Sequence, residues 1–246
     1  MSVLGRISEI WRYPVSSMGG ETIEATELTL GGVPGDRIWG VESIEKNEVA
    51  GPERRKYWRG LPSLFSRLKA GVPEVGNRDA GDWYDVRSHE ASDLLSSWLE
   101  MPVRLRPHAK FGTEVEGHVA PRYQRADLHV LTTASLRALA SGLDDPAQAV
   151  SPRFRPNVLI ETTPEHQGFA EHALIGKTLA IGEARIEIHE PCSRCAFTVL
   201  AQQGLSFEPK ILRHIVQKGS GGFGVLCKVT HPGGIALGSE VRVIEA

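Results

Sequence analysis

The run ALIGKTLAIGEARIEIHEP, residues 173–191, decides the fold class. Ala184, Ile186 and Ile188 alternate with Arg185, Glu187 and His189. A period of two puts the apolar set on one buried face of a β-strand and the polar set on the other. Gly182, just before the run, marks a hairpin turn into it. NVLIET (157–162) and EVRVIE (240–245) read as further short strands. Helices are fewer. SHEASDLLSSWLE (88–100) has a cap at Ser88 and puts Ala91, Leu94, Leu95 and Trp98 on one face. TTASLRALA (132–140) stacks Leu136 and Leu139, and EPKILRHIV (208–216) sets Ile211, Leu212 and Ile215 on one side after Pro209. Regular strand–helix alternation is missing, so the expected class is α+β with barrel-like sheets, not a doubly wound sheet. Residues 101–122 lack sustained periodicity and hold three prolines. They separate an expected N-terminal unit, residues 1–100, from a larger C-terminal unit, residues 101–246.

Composition narrows the function. With 246 residues, 41% of them hydrophobic, the chain can bury a sizeable core. A net charge of -2 supplies no global positive field for nucleic acid, though a local anion site stays possible. No stretch approaches the ~18 consecutive apolar residues of a membrane helix. The start, MSVLGRISEIWRYPV, lacks the long apolar segment of a signal peptide. The expected setting is the cytoplasm, away from membranes, where thiols stay reduced. Three cysteines are too few for a disulfide framework.

Two of those cysteines, Cys192 and Cys195, form the C-x-x-C of PCSRC (191–195). A zinc site needs about four ligands. Cys227 with His231 could complete one, but the spacing fits no common finger. In a thioredoxin-like site the pair opens a helix. Here it follows a strand and precedes AFTVL, rich in β-formers. Two small buried hydrophobes are the bland alternative. Ser193 and Arg194 between them argue instead for a strand end facing a cleft, where positive charge could hold a thiolate.

Other patterns carry less. GSGGFG (219–224) matches G-x-G-x-x-G, but it follows a helix-like segment and precedes a strand, the reverse of a dinucleotide fingerprint. It reads as a turn or a close backbone approach. His108, His118 and His129 are scattered and suggest no metal by spacing. SPRFRPN (151–157) puts Arg153 and Arg155 on one side of an extended segment, and Pro152 and Pro156 bias the backbone to extended or turn geometry. Arginine pairs suit phosphate; a solvated strand face is the alternative.

In order, YPVSSMGG (13–20), GVPGDRIW (32–39), VLTTASL (130–136), RFRPNVLI (153–160), IGKTLAIG (175–182), PCSRC, GGFGVLCKV (221–229) and GGIALGSEVRV (233–243) resemble the MOSC domain family. The resemblance covers nearly the whole chain. It implies a strand-rich, β-barrel-like MOSC domain preceded by a smaller β-barrel-like domain. It further implies a molybdenum cofactor whose metal takes one cysteine thiolate, a soft donor suited to it. By its place in the motif that ligand, and the catalytic residue, is Cys195, with Cys192 its neighbour. Arg37, Arg155 and Asn157 match family positions that hold the cofactor, and Ser17 matches a serine of the first motif. Ser16, Arg153 and Cys192 complete the expected cofactor-binding set. The implied activity is oxidoreductase: reduction of a small N-hydroxylated substrate by oxygen transfer to molybdenum, fed by a separate electron-donor protein. The resemblance also carries pyridoxal phosphate binding at family level. A rival from another class is a non-catalytic carrier of the cofactor, or of sulfur as a cysteine persulfide. Two positions depart from the pattern. Ser16 stands where the family has a phosphate-facing lysine, and a serine donates one hydrogen bond but no charge. In YQRADLHVL (123–131), Asp127 is shifted from the family's aspartate, and Arg125 adds positive charge instead.

Overall fold

The alternating residues 184–188 lie in a strand that continues to Ser193. The computed structural model describes residues 2–121, 126–202 and 204–244, so Arg125 lies outside the described residues. Strands β1 (Ser2–Arg12), β2 (Glu21–Thr22), β3 (Ala25–Leu28), β4 (Trp39–Ser43) and β5 (Glu48–Val49) come first. Then follow β6 (Phe65–Lys69), β7 (Val72–Asn77), β8 (Asp82–Asp85), helix α1 (His89–Leu99) and β9 (Val103–Pro107). After these come β10 (Leu128–Thr132), α2 (Thr133–Ala140), α3 (Ser151–Phe154), β11 (Val158–Thr162), β12 (Thr178–Ile181) and β13 (Ala184–Ser193). The last elements are α4 (Lys210–Gly219), β14 (Gly222–His231), β15 (Gly233–Ala236) and β16 (Glu240–Ile244).

Seven strands close into a barrel. Their order is β11-β10-β14-β13-β12-β16-β1, and β1 pairs back onto β11. Closure removes the exposed edges that a sheet of this size would otherwise present. The hairpin expected at Gly182 is present: Ile181 pairs with Ala184 around a two-residue turn, and Gly182 takes a φ of +57° there. Ala184, Ile186 and Ile188 point inward, as the alternation requires, and meet Leu4, Ile7, Ile10, Ile160 and Val225 in the barrel core. Each of the larger aliphatic side chains contributes about 1.5–3 kcal/mol by leaving water.

The sheets do not divide at residues 100 and 101. β1 supplies one barrel stave, and β3 pairs with β15, so residues 2–28 are woven into the C-terminal unit. Conversely β9 pairs with β4. The smaller unit has two three-stranded sheets, β5-β4-β9 and β6-β7-β8. With α1 they enclose Val41, Trp58, Leu61, Leu64, Val75 and Leu95. The Ser88 cap forms, its hydroxyl accepting from Ala91 N at 3.2 Å. The buried stripe of α1 is Ala91, Leu95 and Leu99, rotated from the expected face: Trp98 is 45% exposed and donates its indole N–H to Gly60 O.

Helices α2 and α4 cover the outside of the barrel, where Leu139, Ile211, Ile215, Phe154, Leu159 and Phe223 form a third core. This is why all five residues of β10 are buried: both faces of the strand are covered. A carboxylate is buried beside the start of α2. Glu171 accepts from Thr132 Oγ1 at 2.5 Å and from Ser135 Oγ at 2.7 Å. Burial nevertheless holds its carboxyl above the ordinary value of 4.5, against those hydroxyl contacts. A group raised in the folded state contributes stability below its unfolded value and loses it as pH rises through the folded one. Glu171→Gln keeps the shape without the charge. Its stability relative to wild type, from urea titrations across pH, should be flat below 4.5 and then rise in glutamine's favour as pH climbs. A difference independent of pH would place the ionisation elsewhere.

Candidate functional site

SPRFRPN does not run extended. Pro152 sits in the first turn of α3, where its missing N–H is no loss, and Arg155 ends the helix in the left-handed region at φ +57°. One helical turn sends the two arginines in different directions. Arg153 is fully buried away from the cavity described below. Its guanidinium donates to Gln148 O and Oε1, Thr198 O, Leu200 O and Ser206 O. It fastens the 148–155 and 198–206 segments together and is not available to a cofactor, which corrects the expectation for that residue.

Arg155 faces a cavity of about 600 Å³. Ser16, Ser17, Arg37, Asn157, Cys192 and Cys195 line the same cavity, so the structure brings every other expected site residue together. Arg37 and Arg155 converge although 118 residues apart: Arg37 Nη2 donates to Arg155 O at 2.9 Å. Both guanidinium groups stack on the Tyr13 ring, at 5.1 and 4.2 Å from its centroid. Asp36 pairs with Arg37 and accepts from Tyr13 N at 2.8 Å, which fixes the GVPGDRIW turn against the YPVSSMGG loop. Asn157 is 1% exposed. It accepts from Arg37 Nη1 at 3.3 Å and from His129 N at 3.1 Å, and donates to Trp11 O at 3.4 Å. Ser16, in the lysine's place, is not the only polar group at its position: its hydroxyl lies 2.9 Å from His108 Nε2.

The two cysteines differ. Cys192 is buried at the end of β13, and Arg194 Nη1 lies 2.8 Å from its sulfur. Burial pushes this thiol up, but the charges of His129 and Arg194, with hydrogen bonds from both, outweigh it and bring it down to about 6. Cys195 lines the cavity and is exposed. The residues after it form a 3-10 turn, Ala196–Val199, not the strand that their composition suggests. Cys227 faces the barrel core, where burial pushes its thiol upward. Among the described residues no cluster of histidine, cysteine and carboxylate side chains converges to hold a metal. The close approach expected of GSGGFG is real: a Cβ on Gly224 would lie 2.2 Å from His129 Nε2.

Tyr13, Phe197 and Glu190 were not singled out from the sequence, and His129 was weighed there only as a metal ligand. His129 is brought in by the β10–β14 pairing, a long-range event that leaves no local signal. The donor set suits the expected molybdenum cofactor: a soft thiol at the surface of the cavity, and cationic and amide donors for an anion. Arg194 Nε is buried without a hydrogen-bond partner among the described residues. No lysine is among the described cavity-lining residues, so a pyridoxal Schiff base finds no amine there.

Three outcomes follow from this geometry. Arg153→Met should lower unfolding free energy by about 3–5 kcal/mol, because carbonyls that it satisfies are left buried and bare. Phosphate affinity measured by calorimetry should fall for Arg155→Met and not for Arg153→Met. The ultraviolet thiolate absorbance should show a midpoint of about 6 that is lost in Cys192→Ser and moves upward in Arg194→Leu.

The MOSC domain model matches residues 110–242. The chain is 24% identical over 233 residues to the human mitochondrial amidoxime-reducing component 1, covering 80% of this chain and 66% of that protein. It is 23% identical to the molybdenum cofactor sulfurase of Drosophila grimshawi, covering 87% of this chain and 30% of the relative. The chain thus spans less than two thirds of either relative's length. Among solved structures, the YUAD protein from Bacillus subtilis aligns with a TM-score of 0.47 at 13% identity, over 97% of this chain and 94% of that one. With more than half of its residues matched by the family model, the chain belongs to the MOSC domain family.

Proposed function

We propose that this protein is a molybdenum cofactor-dependent reductase of small N-hydroxylated compounds. Family membership and the two relatives support a molybdenum-cofactor-associated function. The observation that carries the finer reading is the cavity itself. Segments from residues 16, 37, 155 and 195 meet there, joining an accessible thiol to paired guanidinium groups. When bound, the cofactor supplies the electron pair that reduces the substrate's N–O bond.

The chain's own residues do the rest. Cys195 offers the thiolate to the metal. Arg37 and Arg155, with Ser17 and Asn157 beside them, receive the cofactor's phosphate. Tyr13 and the carbonyl of Arg155 hold the two guanidinium groups in place before any anion arrives, so little reorganisation is needed on binding. His129 sits with Nδ1 3.3 Å from Arg155 O and Nε2 3.3 Å from Phe223 O. It can hold a proton on either ring nitrogen within the cavity. Phe197 and Phe111 give the cavity apolar walls for an organic substrate. Electrons come from a separate donor protein.

A second reading has one observation in its favour. Cys195 is exposed, which suits a persulfide handed to another protein. Metal analysis separates the two. The reductase should hold stoichiometric molybdenum and reduce an N-hydroxylated base or an amidoxime with a chemical electron donor. Cys195→Ser should lose both metal and turnover while unfolding normally, since the change is nearly isosteric. Cys192→Ser should keep the metal and measurable turnover. Metal-free protein carrying a persulfide on Cys195 would favour the carrier. Activity lost in Cys192→Ser alone would move the ligand to that residue.

A further inference from the structure

A row of paired residues crosses the sheet beside the cavity. His129 on β10 is the register partner of Leu226 on β14, and Leu226 is the partner of Glu190 on β13. Directly paired residues on neighbouring strands present their side chains on one face. All three line the cavity. Neighbouring strands lie about 4.8 Å apart, so the row spans about 10 Å. One end holds His129, whose Nδ1 lies 3.3 Å from Arg155 O. The other end is a carboxylate, and Leu226 separates them.

Glu190 owes its place to a β-bulge. The β13–β14 register shifts between Ile188 and Glu190 and again between Pro191 and Ser193. Bulges re-aim side chains; the first lies directly before Glu190 and the second falls at Cys192. Glu190 is the single carboxylate among the described cavity-lining residues. It is half-buried, and no hydrogen bond or ion pair engages it among the described residues. A carboxylate in that setting attracts a cation with hydrogen-bond donors, and the apolar walls accept the body that bears it.

We propose that Glu190 is a specificity-determining residue that receives a planar cationic nitrogen group, an amidinium or guanidinium, at the end of the cavity away from His129. This rests on the reductase reading. When the N–O bond of an N-hydroxyamidine breaks, two electrons and two protons enter and water leaves. The electrons come from a chemical or protein donor. The amidine that remains takes up a further proton in water and becomes a cation. A hydroxamic acid treated likewise leaves a neutral amide. Glu190 favours the first class, because only its product is a cation that the carboxylate can pair with.

The test compares benzamidine with its neutral isostere benzamide by calorimetry, on purified wild type, Glu190→Gln and Glu190→Asp. Wild type should bind benzamidine roughly tenfold or more tightly than benzamide, as one charge-assisted contact provides. Glu190→Gln should abolish that preference and Glu190→Asp should keep part of it. Melting temperatures and molybdenum content are measured on the same samples. No preference in wild type, or a preference that survives Glu190→Gln, overturns the inference. So does a loss of molybdenum in Glu190→Gln with the preference unmoved, which would assign the carboxylate to the cofactor. Dithionite-driven reduction of benzamidoxime is assayed separately. Absence of turnover with the Glu190-dependent preference intact would sink the reductase reading and leave the cation site standing.

Discussion

The amide of Asn157 holds the charged wall of the cavity to the barrel. It joins Trp11 on β1, the backbone of His129 on β10 and the guanidinium of Arg37, which belongs to neither strand. Its own backbone completes the join, accepting from Trp11 N at 2.8 Å and donating to His129 O at 2.7 Å. A buried primary amide has two donors and two acceptor positions, and each left bare costs about 1–3 kcal/mol. The side chain therefore tolerates few alternative arrangements of its neighbours. The place where β1 and β10 flank β11 and the place where Arg37 reaches the cavity are fixed by the same group.

That constraint bears on electrostatics. Arg37 and Arg155 carry like charge and share one tyrosine ring. Left to themselves they would separate. Carbonyl and amide acceptors, Asp36 and the ring face hold them together, so part of the repulsion is built in during folding. An entering anion relieves it. The chain's net charge of -2 gives no hint of this, because its charge is sorted, not absent. The same sorting reaches Cys192, whose thiolate is favoured by Arg194 and His129 even though burial opposes it.

How much could be read in advance depended on whether the cause was local. Ala184, Ile186 and Ile188 announced a strand because one face is buried along its length, and Ser88 announced a helix because capping is a three-residue affair. The family motifs pointed to Arg37, Arg155, Asn157 and both cysteines, which line one cavity. Where causes were distant, local rules misled. Prolines flanking RFR suggested an extended segment, yet the first of them begins a helical turn, and the buried carbonyls that claim Arg153 lie 45–53 residues further on. AFTV has strand composition and forms a 3-10 turn because β13 ends in bulges just before it. Trp98 was placed on the buried face by periodicity, but its indole reaches the Gly60 carbonyl and stays half in water. The boundary near residue 100 follows composition, whereas the packing follows β1 and β3 across it.

The pairing of β1 with β11 and β16 sets a schedule for synthesis. β1 needs partners separated from it by some 150 and 230 residues of chain. Until they emerge, Leu4, Ile7 and Ile10 have no barrel core to enter, and both edges of the strand are open. Loop closure over such distances makes folding slow, and open apolar strands invite association with other chains meanwhile. During synthesis β1 has to stay sheltered until β11 and β16 have both emerged.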